Sequence, residues 1–201
     1  MALYYYVLKR QVPYGDDKTF DSSGLEKVKI EAMHTTYIVC GSPGAGKTTY
    51  ARKLASARHA ILLDIDTATE RLVRLALRES GHDPDNRDSD YFKRTYREPI
   101  YETLFDIARE NIPLQEVVVV GPFTKELRDP DWPSKLSQTL GGPVEVHYIS
   151  CPPEIRRRRL ARRGDARDLA KLQDWENYIQ YYEERQPVFE HVRVDGSTHE
   201  K

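Results

Sequence analysis

Residues 41–48 read Gly41-Ser42-Pro43-Gly44-Ala45-Gly46-Lys47-Thr48, two glycines five apart followed by a cation and a hydroxyl. Such a stretch builds a loop from backbone rather than side chain. Glycines let N–H groups turn inward around phosphate oxygens, where a Cβ would block the approach. Lys47 is spaced to reach the β- and γ-phosphates of a bound triphosphate, and the Thr48 hydroxyl suits Mg²⁺ as a hard oxygen ligand. Thr49 follows at the start of a predicted helix, whose positive end adds to the field on a phosphate. The apolar run Tyr37-Ile38-Val39 before the loop supplies the strand this pattern requires.

A phosphate loop says what is held and leaves open what is done with it. The segment Ala60–Asp66, "AILLDID", ends in two acids. Read as a strand, it places Asp64 and Asp66 on one side of the pleat at its carboxyl edge. Transfer of a phosphoryl group to a hydroxyl needs a carboxylate that takes the proton and a hard ligand for the metal, and this pair supplies both: Asp64 for the metal, Asp66 for the proton. The competing reading is that Asp66 only caps a helix beginning "TATERL", with Glu70 completing the cap. The strand "EVVVVG" (116–121) runs into Gly121-Pro122-Phe123 without the terminal aspartate that many ATPases use for Mg²⁺. Guanine-specific Asn-Lys-x-Asp is also absent, which argues against a GTPase switch.

The third concentration of chemistry is "CPPEIRRRRLARRGDARDLAKL" (151–172), in which six of the eight residues from Arg156 to Arg163 are arginines. On a helix Arg159 and Arg163 share a face and Arg156 lies one turn earlier. Guanidiniums are planar, permanently charged and bidentate, suited to a phosphoryl group in transit. A solvated basic face or a polynucleotide-binding stripe would look the same at this stage.

The elements that must position these groups follow from periodicity. Short apolar runs at 36–40, 60–66, 116–121, 144–149 and 191–194 alternate with helical patterns at Thr48–Ser56, Thr67–Ser80 and Tyr91–Glu110. The second helix is expected to bury Leu72, Leu75 and Ala76, and the third to repeat Tyr96, Ile100, Leu104 and Ile107 along one face. A further amphipathic helix, 174–187, is expected to brace the arginine-rich segment against the sheet. Strict alternation predicts an α/β three-layer sandwich: a parallel sheet of about five strands, with helices on both faces and ligands at the strands' carboxyl ends. Residues 1–33 fall outside this scheme. They carry a β-rich run, a Gly15-Asp16-Asp17 turn signal and a period-two stretch at Lys27–Glu31, which suggests a hairpin-like extension. The domain proper then spans 34–201.

Composition sets the limits. The chain has 201 residues, 39% of them hydrophobic, and 31 basic residues against 32 acidic. That is enough for one good core, with no global field to attract nucleic acid or an anionic membrane. Two cysteines make no disulfide framework, the N-terminus lacks the pattern of a signal peptide, and no apolar run spans a bilayer. A cytoplasmic protein with reduced thiols is expected.

Taken together, "GSPGAGKTTYARKLA", "LLDID" and "RRRRLARRGDARDLAKLQDWENY" resemble the P-loop kinases that include polynucleotide 5′-kinases, zeta-toxin-like kinases, chloramphenicol phosphotransferase and bacterial and phage "AAA family ATPase" proteins. The resemblance covers roughly residues 35–196. It implies ATP and Mg²⁺ as cofactors, Asp66 as the base that activates an acceptor hydroxyl, and Arg159 and Arg163, with Arg167, as arginines of a lid over about 153–172. It also implies a backbone contact from Gly196 to adenine. The acceptor is either a small metabolite or a nucleic-acid hydroxyl, and Arg71, Arg74, Arg94 and Arg97 are candidates for recognising a phosphate on it. The alternative from another class is a nucleotide-driven switch that hydrolyses ATP with no acceptor.

Overall fold

The computed structural model describes residues 4–7, 26–29, 34–183 and 186–198. Two short strands, β1 (Tyr4–Val7) and β2 (Glu26–Lys29), pair antiparallel with Tyr4 opposite Lys29 and belong to a compact unit, Met1–Met33. The turn signal at residues 15–17 lies outside the described residues. The second unit, His34–Lys201, carries everything that follows.

Its sheet has five parallel strands: β3 (Thr36–Gly41), β4 (Ile61–Asp64), β5 (Val117–Val120), β6 (Val144–Ser150) and β7 (Val192–Asp195), in the spatial order β4-β5-β3-β6-β7. From β3 the chain crosses first to the β4 edge, returns to β5, then continues on the other side with β6. The strand order therefore reverses at β3, and its carboxyl end is where a ligand crevice opens.

Side-chain alternation along the strands divides the core into two layers. Ile38, Cys40, Val117, Val119, Val146 and Tyr148 face one way, into a cluster with Leu77, Leu104, Phe123 and Leu136. Tyr37, Val39, Val118, Val120 and Ile149 face the other way, onto α1 (Lys47–Arg58) through Ala51 and Ala55. Small residues on α1 let it lie close over the sheet, which brings its N-terminus to the end of β3. Burial of β3 and β5 on both faces accounts for their continuous apolar sequences.

Two helices depart from the periodicity. The helix α2 (Ile65–Glu79) begins two residues before its predicted start and buries Thr69, Val73 and Leu77, leaving Leu72 71% and Leu75 52% exposed. Its phase is set by Thr69, Val73 and Leu77, not by Leu72 and Leu75. The predicted helix over Tyr91–Glu110 is broken into α3 (Asp90–Thr95) and α4 (Arg97–Asn111), with Tyr96 as the joint. The cause is Pro99: it has no N–H to donate to the Thr95 carbonyl and would clash with it, whereas at the third position of α4 that missing donor costs nothing. Ile100, Tyr101, Leu104 and Ala108 then form the buried face of α4.

After β5 the chain forms α5 (Trp132–Leu140), which the sequence reading does not anticipate. Beyond β6 come α6 (Pro153–Arg163), α7 (Leu169–Gln173) and α8 (Trp175–Glu183). Trp175 is buried, with the Arg156 guanidinium 5.7 Å from its ring centroid, so α8 is tied to α6. Among the described residues no helix is long and apolar enough to cross a membrane.

Leu104 is fully buried and Leu72 is not. Urea unfolding is expected to show Leu104→Ala costing about 2–5 kcal/mol and Leu72→Ala under about 0.5 kcal/mol. Equal losses would mean that α2 turns its leucines inward after all.

Candidate active site

The phosphate loop joins β3 to α1. Gly41, Gly44 and Gly46 all have positive φ, and Gly46, at φ 104°, serves as the left-handed cap of α1. A Cβ on Gly41 would stand 2.5 Å from the Ile149 carbonyl oxygen, so that glycine is required by β6 as well as by its own backbone angle. Ser42 and Ala45 are buried, Pro43 and Thr49 half-buried, and Pro43, Gly44, Gly46 and Thr49 line a cavity of about 490 Å³.

Lys47 Nζ donates to the Ser42 carbonyl at 3.1 Å, which folds the side chain back over the loop. Burial pushes its pKa down to about 8, against the pull of Asp66 and Asp64. Thr48 Oγ1 donates to Asp64 Oδ2 at 2.8 Å. A hydroxyl and a carboxylate side by side at a loop built for phosphate are hard oxygen donors of the kind Mg²⁺ accepts, and no cluster of three His, Cys, Asp or Glu occurs among the described residues. The set fits an ion that keeps most of its shell as water and substrate phosphate, as Mg²⁺ does.

The two acids do not share a strand. β4 ends at Asp64, which is buried and caps α2: its Oδ1 accepts the Asp66 N–H at 2.9 Å. Asp66 is already in the first turn of α2, with its side chain half exposed. The expectation of two carboxylates on one side of a pleat is corrected, because the chain passes from strand to helix between them. Both nonetheless line the same cavity as Lys47.

Asp66 is bracketed by two arginines, Arg87 at 3.4 Å and Arg167 at 3.1 Å. Glu70, one turn along α2, takes Arg87 at 2.6 Å and Arg167 at 2.8 Å. Arg167 also donates to Asp165 at 2.9 Å, and this bond holds the Asp165 carboxyl down to about 2. Burial works against the charge on Arg167, but Asp165, Asp66 and Glu70 together raise its pKa above the usual guanidinium value. Burial lowers that of Arg87, with Glu70 and Asp66 opposing.

The arginines of α6 divide their work. Arg159 Nη1 donates to the carbonyls of Gly196 (2.9 Å), Gly44 and Ala45 (3.4 Å each), and Nη2 donates to that of Ser197 (3.2 Å). It therefore ties the phosphate loop to the end of β7, at the position expected for adenine contact. Gly196 is buried there, and a Cβ on it would fall 2.1 Å from the Ala45 carbonyl oxygen. Arg163 binds Asp168 through Nε (2.8 Å) and Nη2 (2.5 Å). Arg156 is buried against Trp175 and does not line this cavity.

Of the four candidate acceptor arginines only Arg97 lines the cavity; Arg74 is engaged by Asp85 and Glu70, and Arg71 and Arg94 are exposed. Phe123 does not flank the cleft. It is fully buried at φ 44° against Tyr101, Phe105 and Trp132, while Thr124 beside it does line the wall. Tyr91 stacks on His82, and Tyr101 is packed in the core. Cys40 is an inert thiol, buried and pushed up to about 12. Arg87 and Lys93 line the cavity without having been singled out in the sequence, because no motif marks them.

This fold and loop define a P-loop nucleoside-triphosphate-binding protein. The chain belongs to the AAA domain family, which matches residues 37–185. No protein of curated function matches it in sequence. Among solved structures, a candidate kinase from Chloroflexus aurantiacus is 17% identical with a TM-score of 0.58, covering 83% of this chain and 90% of its own. A sugar kinase from Janibacter is 17% identical (TM-score 0.53; 82% and 86% covered), and a gluconokinase from Sinorhizobium meliloti is 15% identical (TM-score 0.51; 83% and 85%). These likenesses establish the fold, and none singles out the polynucleotide-kinase or zeta-toxin subgroup.

Lys47 gives the site a pH signature. Below about pH 8 it is charged both with and without a ligand; above that, the free protein has lost a proton which the phosphates would draw back. Nucleotide affinity is therefore expected to fall by up to about tenfold per pH unit above pH 8, with proton uptake on binding. Calorimetry in two buffers of different ionisation enthalpy checks both, and a flat profile from pH 7 to 9.5 contradicts the assignment.

Proposed function

We propose that the protein is an ATP- and Mg²⁺-dependent kinase that moves the γ-phosphoryl group onto the hydroxyl of a small acceptor. The observation that carries this reading is the convergence of Lys47, the Thr48–Asp64 pair and Asp66 on one cavity. Lys47 and the loop amides hold the β- and γ-phosphates. Thr48 and Asp64 would hold the metal, which when bound would supply charge to offset that on the phosphate oxygens. Asp66 accepts the proton of the acceptor hydroxyl as its oxygen bonds to the γ-phosphorus; the bond from that phosphorus to the β,γ-bridging oxygen breaks, and ADP leaves. Arg163 and Arg167 lie on the cavity wall but are held by Asp168 and by Asp66, Glu70 and Asp165, so they act on the group in transit only where these carboxylates let them go. Arg159, spent on backbone carbonyls, shapes the adenine side. Tight positioning and fixed charge account for most of the catalysis in such a step.

A nucleic-acid acceptor is less well supported. Of the four candidate phosphate contacts only Arg97 reaches the cavity, and Glu126 engages it; Arg74 is engaged by Asp85, and Arg71 and Arg94 are exposed away from the cavity. The fold of two sugar-acid or sugar kinases among the neighbours agrees with a small acceptor.

The test is γ-labelled ATP with Mg²⁺ against a panel of polyols, sugar acids, nucleosides and 5′-hydroxyl DNA. Asp66→Asn is expected to lower kcat by about 10²–10⁴-fold while ATP affinity changes by less than about threefold. Label released only as free phosphate in every mixture, at a rate indifferent to Asp66→Asn, would establish the nucleotide-switch alternative instead.

A further inference from the structure

On one wall of the cavity the segment from Arg87 to Arg97 presents three cations, and their partners differ. Arg87 is neutralised by Asp66 and Glu70. Arg97 donates to Thr124 Oγ1 at 3.3 Å and to Glu126 Oε2 at 3.0 Å. Lys93 meets no carboxylate among the described residues; its Nζ lies 5.8 Å from the ring centroid of Tyr181, which lines the same cavity. The acid nearest to it in sequence on that wall, Asp88, is occupied by Lys171 at 3.4 Å. Phe92, Ile100 and Tyr101 supply apolar surface around these groups.

An ammonium half withdrawn from water without a counter-ion carries a cost that a ligand's anion would offset. With Arg87 and Arg97 both compensated, the charge left over on this wall sits at Lys93. The cavity, about 490 Å³ in all, must also take the phosphate end of a nucleotide, so whatever shares it is small. We infer that the acceptor is a small anionic alcohol, a polyol bearing a carboxylate or a phosphate, whose anionic group seats on Lys93 against the Tyr181 ring while its hydroxyl faces Asp66. The inference rests on the kinase reading of this cavity. It makes Lys93 the residue that selects the acceptor, with α3 and α8 forming the seat between them.

The test has two arms. In the first, the phosphate loop is filled with a non-hydrolysable ATP analogue and Mg²⁺, and the protein is titrated with inorganic phosphate and, separately, with malonate. Occupancy is followed by calorimetry and by the NMR signals of the lysine ammonium-bearing methylenes. Saturable binding is expected in the wild type, weakened about tenfold or more by Lys93→Gln and restored by Lys93→Arg. Which of the two anions binds more tightly distinguishes a phosphate from a carboxylate. Both variants are expected to keep the affinity for the analogue, which separates a lost seat from a lost fold. Equal anion binding by the wild type and Lys93→Gln, or binding by neither, overturns the inference. In the second arm, a neutral polyol, its aldonate and its phosphomonoester are offered with γ-labelled ATP. Label is expected on the anionic members, with Lys93→Gln raising KM by about tenfold or more and changing kcat far less. Equal labelling of the neutral polyol overturns the inference. If the first arm shows the seat and no acceptor takes label, the anion site stands and the kinase reading falls.

Discussion

Asp64 divides its two carboxylate oxygens between two helices. One accepts the Thr48 hydroxyl at the head of α1; the other accepts the N–H of Asp66 and caps α2. The group is buried at the end of β4, where water cannot replace either bond cheaply. The phosphate loop and the acid-bearing turn are therefore held in one frame. In register, Asp64 lies opposite Val120, so a carboxylate stands on the adjacent strand at the level where β5 has none.

How the chemistry is distributed over the fold follows from this frame. Around the phosphate loop the cavity is backbone, or is braced by backbone: the glycines with positive φ, Lys47 on the Ser42 carbonyl, Arg159 on four carbonyls. Another part of its lining is built from side chains on α3, α4 and α8, set on a core of tilted aromatics around Phe123. A backbone-lined half tolerates little change, whereas a side-chain-lined half can be recut for new substrates without moving the sheet.

Much of this was legible in the sequence, for identifiable reasons. The five strands announced themselves as short apolar runs because β3 and β5 are covered on both faces and tolerate no polar interruption. The phosphate loop was legible because its constraint is on backbone angles, which only glycine meets freely. Asp64 ends its strand as the sequence suggests, but Asp66 belongs to α2 and not to the strand, since an acid that ends a strand and one in the first turn of a helix look alike until the chain's direction is known. The face of α2 was misjudged because two leucines outweighed Thr69 and Val73 in the pattern, while packing decided otherwise. No motif marks Arg87 or Lys93 individually: they line the cavity because the segment 82–97 follows β4 and α2 and so comes to the cleft, as its place in the chain suggests. For the arginines of α6, spacing revealed the shared face but could not reveal whether carbonyl, carboxylate or phosphate would receive each one.

The root of α6 is pressed onto the phosphate loop. A Cβ on Gly44 would come within 3.0 Å of the Arg156 carbonyl oxygen and 3.2 Å of Leu160 Cγ, so this end of the helix has no room to swing. Gly164, at φ 64° with nothing near its Cβ position, ends the helix in open space. The arginine-rich stretch thus has two parts, one packed on the phosphate loop and one beyond Gly164 held by ion pairs. Arg159 belongs to the fixed wall on the near side, and Arg167 rides on the far side, where it grips α2 through Asp66 and Glu70. Withdrawing Arg167 from α2 would free Asp66 and Glu70 together, so the place of this far part and the charge at that corner of the cavity are tied to each other.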